Sequence, residues 1–212
     1  MNLFIEYFYF KHEERNREVF DTIEKNSKLN CIENIFAISD ENTLNHLKNH
    51  LLNKQHKVTF VTHPERCSFQ YLFDLSNNYQ PLDGISCVAN NDIVFTEDFL
   101  KLKDKMSDND FYCISRYEYN RSFSRGVAKW SQDSWCWKNK CRMNNCNFYF
   151  GVPGNDNTIP YHAQEAGYVV KNPSLSFKSY HNHTCNIRPD QSFLESIRLD
   201  RNYYREVLPC EV

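Results

Sequence analysis

Between Leu3 and Phe95, apolar strand-like runs alternate with amphipathic stretches, and that alternation constrains the fold more than any other property of the chain. Residues 3–10 are apolar and aromatic and read as a first strand. Residues 11–28 read as a helix, with Val19, Phe20 and Ile23 as its apolar stripe and Glu13, Glu14, Arg15, Arg17 and Glu18 as a solvated face. Residues 34–39 form a second strand ending on Asp40, and residues 43–52 a second helix with Leu44, Leu47, Leu51 and Leu52 on one side. A third strand over 57–62 is stopped by Pro64, a third helix follows over 69–75, and a fourth strand runs from Gly84 to Ala89. Strands and helices in strict alternation, joined by right-handed crossovers, build a mostly parallel central sheet flanked by helices. The expected class is α/β and Rossmann-like.

The fourth strand breaks off at Asn90-Asn91-Asp92, and the apolar triplet Ile93-Val94-Phe95 follows at once. In open α/β sheets ligands bind just outside the carboxyl ends of the strands. An aspartate delivered there, flanked by the carbonyl-bearing side chains of Asn90 and Asn91, suits a hard divalent cation that shares phosphate oxygens with a substrate. Taken alone, Asn-Asn-Asp is also an ordinary polar turn.

The second half is less regular. Residues 96–105 read as a helix with Thr96 as N-cap, and residues 111–115 as a strand ending at Arg116. Residues 117–147 are polar, basic and Trp-bearing without periodicity, and read as a loop-rich functional cover. Regular structure is expected again at 147–150, with a turn at 151–154, a helix over 158–166, a short strand over 168–170 and a last strand over 175–179 before His181-Asn182-His183. A polar helical tail is expected over about 190–212. With no internal repeat or linker, residues 1–212 read as one domain.

Composition removes several classes. A formal net charge of −2 gives no electrostatic footprint for nucleic acid or an anionic membrane. No apolar run is long enough for a membrane span. Five glycines leave little room for glycine-rich phosphate loops. The segment after the first strand, Phe10-Lys11-His12-Glu13-Glu14-Arg15, has none, which argues against a nucleotidyltransferase and a dinucleotide oxidoreductase. G-x-S-x-G is also absent, so a serine hydrolase is not expected. Nine scattered cysteines without a secretory leader point to reduced thiols and a cytoplasmic location. The four-residue gaps between Cys136, Cys141 and Cys146 are not the tight knuckles of structural zinc sites.

Three polar clusters fall at strand ends or the turns after them: Asn90/Asp92, Asp156 after the Gly151–Gly154 turn, and His181/His183. A carboxylate and an imidazole from distant segments can share one divalent ion, and a second carboxylate can serve as general base. Arg66 and Arg116 follow strands on the same edge, within reach of a diphosphate.

The order of these pieces resembles that of nucleotide-sugar glycosyltransferases of the GT-A fold, in particular small bacterial and large-virus ones. The matching segments are Arg15-Asn16-Arg17-Glu18 with Asn26, Ala89-Asn90-Asn91-Asp92-Ile93-Val94-Phe95, Ile114-Ser115-Arg116-Tyr117, Ser131-Gln132-Asp133-Ser134-Trp135, Gly151-Val152-Pro153-Gly154-Asn155-Asp156-Asn157, Gly167-Tyr168-Val169-Val170-Lys171-Asn172-Pro173-Ser174 and His181-Asn182-His183. They span nearly the whole chain. The resemblance implies that Asn90-Asn91-Asp92 stands at the Asp-x-Asp motif, with Asp92 binding Mn2+ or Mg2+ and Asn90 where the first aspartate is usual. It implies His181, with His183 as the alternative, as the C-terminal metal ligand. It implies Asp156 as the acceptor-activating carboxylate. Asp133 would lie beside the acceptor as a second candidate base, with Trp135 and Trp137 offering faces for a sugar ring. The expected partners are a UDP- or GDP-linked sugar donor and a glycan acceptor, with inversion at the transferred carbon. A degenerate domain that binds nucleotide-sugar or glycan without turnover is the non-enzymatic alternative.

Overall fold

The computed structural model describes residues 1–80, 83–120, 122–152, 154–185 and 201–212. Its elements run β1 (Asn2–Glu6), α1 (Glu13–Ser27), β2 (Asn34–Ser39), α2 (Glu41–Leu51), β3 (Val58–Thr62), α3 (Phe69–Tyr79), β4 (Ile85–Ala89) and β5 (Ile93–Val94). There follow a 3-10 turn (Glu97–Lys101), α4 (Leu102–Lys105), β6 (Asp110–Ile114), α5 (Arg125–Ala128) and β7 (Ser134–Lys138). A second 3-10 turn (Asp156–Thr158), α6 (Ile159–Glu165), β8 (Val169–Lys171), β9 (Tyr180–His181) and a third 3-10 turn (Arg201–Tyr203) complete them.

Seven strands form one sheet in the order β3-β2-β1-β4-β7-β6-β8. β1, β2, β3 and β4 pair in parallel and β8 lies parallel to β6, whereas β7 runs antiparallel to both of its neighbours. The mostly parallel, helix-flanked sheet expected from the alternation is therefore present. Its most consequential departure is β7, which lies inside the stretch expected to be loop. Ser134-Trp135-Cys136-Trp137-Lys138 is buried on both faces, so it lacks the polar alternation that marks a half-exposed strand.

Alternation along the strands sorts the core into two layers. Leu3, Ile5, Ile35, Ala37, Cys87 and Cys136 pack on one face with α1 and α2. Phe4, Phe36, Val88, Phe111, Trp135 and Trp137 pack on the other with α3. The second layer is aromatic: Phe4 stacks on Phe36 with centroids 4.6 Å apart, and Phe73 meets the edge of Trp137 at 5.2 Å. Trp135 and Trp137 are 1% and 0% exposed, so they hold the sheet together and present no face to a sugar. Cys136 lies in the first layer and Cys141 and Cys146 in the second, so the three thiols share no metal.

Other boundaries also move. β1 ends at Glu6 because the Asn16 side chain takes both backbone groups of Phe10, at 2.7 Å each, and holds that segment out of the sheet. Asp40 and Ser68 cap α2 and α3 through Thr43 N and Tyr71 N. Thr96 precedes a 3-10 turn without capping it, since its hydroxyl bonds Lys178 O and Asp98. Residues 147–150 contribute one isolated bridge, Tyr149 with Ser68, and no strand; residues 175–179 form no strand either. The tail expected over 190–212 lies outside the described residues as far as 200. Its last part packs on the domain, with Val207 buried in the aromatic layer and Asn172 bridged to Pro209.

Candidate active site

The carboxyl ends of β1, β4 and β6 open on one edge of the sheet. Because β7 is antiparallel, its amino end opens there too. Asp133, immediately before β7, therefore lands beside Asn90, immediately after β4. The backbone N of Asn90 donates to Asp133 O at 3.0 Å, and Asn90 Nδ2 donates to Asp133 Oδ1 at 2.9 Å. From the end of β6, Arg116 Nη1 reaches both Asp133 oxygens at 2.6 Å. Burial opposes a charged Arg116, but the Asp133 carboxylate outweighs it and keeps the guanidinium firmly protonated. Asn90, Asp133 and Arg116 thus form one polar unit, with Asp133 buried and the other two half-buried.

Asp92 belongs to a second unit. The short β5 pairs with β9 so that Ile93 faces His181, and Asn182 N donates to Asp92 O at 2.8 Å. This antiparallel clasp sets His181 Nε2 3.1 Å from Asp92 Oδ2. The other ring nitrogen, Nδ1, lies 3.3 Å from Glu118 Oε2, so the imidazole is oriented from both sides. His183 completes the group: Asp92, His181 and His183 each present a donor atom within 4.8 Å of one another. Burial by itself would raise the Asp92 carboxyl; the hydrogen bonds and charges of His181 and Arg15 hold it well below the ordinary carboxylate range.

A carboxylate, two imidazoles and a carboxylate behind one of them make a donor set that fits a divalent cation of borderline hardness. Asp92, His181 and His183 would hold it, and it would supply positive charge to anionic oxygens brought to this edge. Asn90 turns its amide nitrogen away from this group, toward Asp133.

Arg15 is the residue that the sequence reading misplaced. Far from solvated, it is 5% exposed, pairs with Asp92 Oδ2 and donates to Glu18 Oε2 at 2.9 Å. Asn16, Thr22 and Asn26 on the same helix are buried as well. Asn16 and Asn26 satisfy backbone groups of segments around the site, and Thr22 donates to Glu18 O and accepts from the Asn182 side chain, which is why polar residues are tolerated there. Asn26 shows the logic most clearly, donating to Ile93 O at 2.8 Å and accepting from Phe95 N at 3.0 Å, as a neighbouring strand would. Replacing it with Ala leaves two buried backbone groups unpaired. Asn26→Ala is expected to lower stability by about 2–4 kcal/mol in urea melts.

Asp156 opens the 3-10 turn ahead of α6, with Gly154 N donating to its Oδ1 at 2.9 Å. Asn157 ties this turn to Trp130 O, beside the Asp133 unit. Burial first, and the Asp133 charge second, push the Asp156 carboxyl up to about 7.

The remaining candidates lie further back. Asn91 is buried and its Nδ2 donates to Glu6 O at 3.1 Å, which fixes the turn after β4 to the end of β1. Arg66 Nη2 donates to Phe150 O at 2.9 Å, and its guanidinium covers the Phe8 ring. Glu6, not singled out from the sequence, is buried at the end of β1 with Cys67 N on Oε1 at 2.7 Å. Its Oε2 has no partner among the described residues, and burial raises the carboxyl to about 7.

Two solved structures share this architecture over most of their length. One is 4-diphosphocytidyl-2C-methyl-D-erythritol synthase from Anaerococcus prevotii, at TM-score 0.55 and 10% identity, covering 92% of this chain and 94% of that one. The other is a Bacillus anthracis protein assigned as a glucose-1-phosphate thymidylyltransferase, at TM-score 0.51 and 8% identity, covering 95% and 98%. A third, S. aureus TarS 1–349 in complex with UDP-GlcNAc, matches at TM-score 0.54 and 10% identity over 91% of this chain and 63% of its own. The chain has the Rossmann-like fold that GT-A glycosyltransferases share with nucleotidyltransferases. No protein-family model matches the sequence, and no curated protein does. At these identities the likeness establishes architecture, and the chemistry has to be argued from the residues. Among the described residues no helix is long and apolar enough to cross a membrane.

Proposed function

We propose that this chain is a glycosyltransferase that moves a sugar from a nucleotide-diphosphate donor to a hydroxyl of a glycan acceptor, related to the small bacterial and large-virus GT-A enzymes that its motifs resemble. The observation that carries the reading is the pairing, at one sheet edge, of a cation-suited Asp92–His181–His183 group with a separate carboxylate raised to about 7. The two carboxylates sit in environments that drive their proton affinities apart, as a ligand and a base require.

In this reading the donor diphosphate lies against the Asp92 group, with Arg116 as neighbouring positive charge. Asp156 takes the proton of the acceptor hydroxyl as it attacks the sugar carbon on the face opposite the leaving diphosphate, which inverts that carbon. Asp133, clamped by Arg116 and Asn90, is a positioning residue that also keeps the Asp156 carboxyl basic. A UDP-linked donor is the first to try, since TarS was solved with UDP-GlcNAc on the same architecture; GDP-linked sugars are the second.

The nucleotidyltransferase reading shares the fold but lacks a phosphate-cradling glycine loop after β1, where His12 N-caps α1 without a side-chain hydrogen bond. One panel separates the two. UDP- and GDP-sugars are offered with Mn2+, and nucleoside triphosphates with sugar 1-phosphates in parallel. Release of nucleoside diphosphate, slow with water and faster with a glycan acceptor, is expected from the first set alone. A donor at one hundred times its dissociation constant should also stabilise the fold by about 2.7 kcal/mol. Pyrophosphate release from the second set would contradict the proposal. Metal-dependent stabilisation without turnover on any acceptor would instead favour the binding-only domain.

A further inference from the structure

A second donor group, overlapping the Asp92 group at His183, involves the segment after β9. Glu18, His183 and Cys185 each place one ligand atom within 4.8 Å of the others. Glu18 is fixed for this purpose. Thr184 donates to its Oε1 through backbone and hydroxyl, both at 2.6 Å, and Cys185 N adds a third contact at 2.8 Å. Its Oε2 faces the Cys185 Sγ at 3.1 Å, with Arg15 Nη1 on the same oxygen at 2.9 Å. The Glu18 side chain is 11% exposed, and His183 and Cys185 are half-buried, so an ion from solvent can reach all three.

The set differs in kind from its neighbour. Thiolate, imidazole and carboxylate together favour Zn2+, whereas the Asp92 group lacks sulfur and suits harder ions. A tetrahedral zinc with bonds of about 2.3 Å to sulfur and about 2.0 Å to oxygen separates those two atoms by about 3.5 Å. The Cys185–Glu18 pair is already close to that. His183 belongs to both groups.

We propose that Glu18, His183 and Cys185 form a second divalent-cation site selective for Zn2+, which shares His183 with the Asp92 group and so withdraws a ligand from it when filled. Binding exchanges the Cys185 thiol proton, released to solvent, for the ion, and no electron is transferred. The zinc site stands independently of the sugar-transfer reading; its inhibitory effect rests on that reading of the Asp92 group.

The test is a Co2+ titration of the full chain. A near-ultraviolet thiolate-to-cobalt charge-transfer band is expected in the native protein, in Cys210→Ser, which removes the other partly exposed thiol, and in Asp92→Asn. It should vanish in Cys185→Ser, a conservative change at a half-exposed position. No band in the native protein, or a band that survives in Cys185→Ser, overturns the site. Paramagnetic resonance of Mn2+ then tests the sharing: prior Zn2+ loading is expected to weaken Mn2+ binding by about tenfold or more in the native protein and not in Cys185→Ser. Unchanged Mn2+ affinity overturns the sharing. Failure of Mn2+ to bind at all, with the cobalt band intact, would count against the Asp92 group instead.

Discussion

Replacing Asp156 with Asn is expected to slow sugar transfer by a factor of about 10² to 10⁴, the usual contribution of a positioned general base. Donor binding, measured by thermal shift with nucleotide-sugar, should be unchanged, because the Asp156 turn and the Asp92 group are separate units. On the proposed function the native protein should lose transfer rate as pH falls through about 7, since the base works only when ionised and burial raises its proton affinity to that point. The same residue is expected to cost stability. A buried carboxyl raised from 3.8 to about 7 is comfortable when protonated and strained when ionised. Its contribution is therefore intact below about pH 4 and is lost progressively as pH rises to about 7. Asn, always neutral, escapes that loss. Asp156→Asn should be the more stable protein above pH 7, by on the order of 4 kcal/mol at most, with the difference closing by about pH 4. A variant that loses activity and gains alkaline stability is what a strained catalytic group predicts; a helix-start residue with no other role would lose stability on replacement.

The second large effect is at Asp92. It partners the buried guanidinium of Arg15 and the ring of His181. Asp92→Ala removes one of the two carboxylates on Arg15, leaving Glu18, and breaking a buried ion pair in this way costs about 3–5 kcal/mol. For a chain of this size each kcal/mol moves the melting temperature by about 2–4 °C, so a fall of roughly 6–20 °C is expected by calorimetry. Asp92→Asn keeps an acceptor for Arg15 and should fall by less, while still losing the charge that a cation needs. A loss of stability in Asp92→Ala no greater than an exposed surface substitution produces would show that the Arg15–Asp92 pair is not formed.

Much of the fold was legible because its signals are local. The alternation through residue 95 gave β1 to β4 and α1 to α3 with ends displaced by a few residues, and the abrupt stop at Asn90-Asn91-Asp92 marked the carboxyl end of β4. What escaped the sequence depends on partners far along the chain. Ser134-Trp135-Cys136-Trp137-Lys138 becomes a central strand only because β4 and β6 hold it from both sides, and without it the contact between Asp133 and Asn90 could not be foreseen. Arg15 reads as part of a solvated helix face, and Asn16 and Asn26 carry no packing signal, because nothing local reveals that Asp92, Phe10 and Ile93 need their hydrogen bonds. Asp92 with one ring of the His181/His183 pair was expected from strand-end placement and resemblance; the structure brings both rings near Asp92 and turns the Asn90 amide to Asp133 instead. Glu118, behind His181, carried no signal beyond lying two residues after Arg116.

The central claim is that the Asp92 group holds a cation shared with a diphosphate. Its most direct measurement is Mn2+ binding followed by paramagnetic resonance, with and without UDP or GDP. The account predicts that one nucleoside diphosphate tightens Mn2+ binding in the native chain by about tenfold or more, a coupling of roughly 1.4 kcal/mol, and that Asp92→Asn abolishes both the binding and the coupling. Mn2+ binding that ignores both nucleotides, or that persists unchanged in Asp92→Asn, would contradict it.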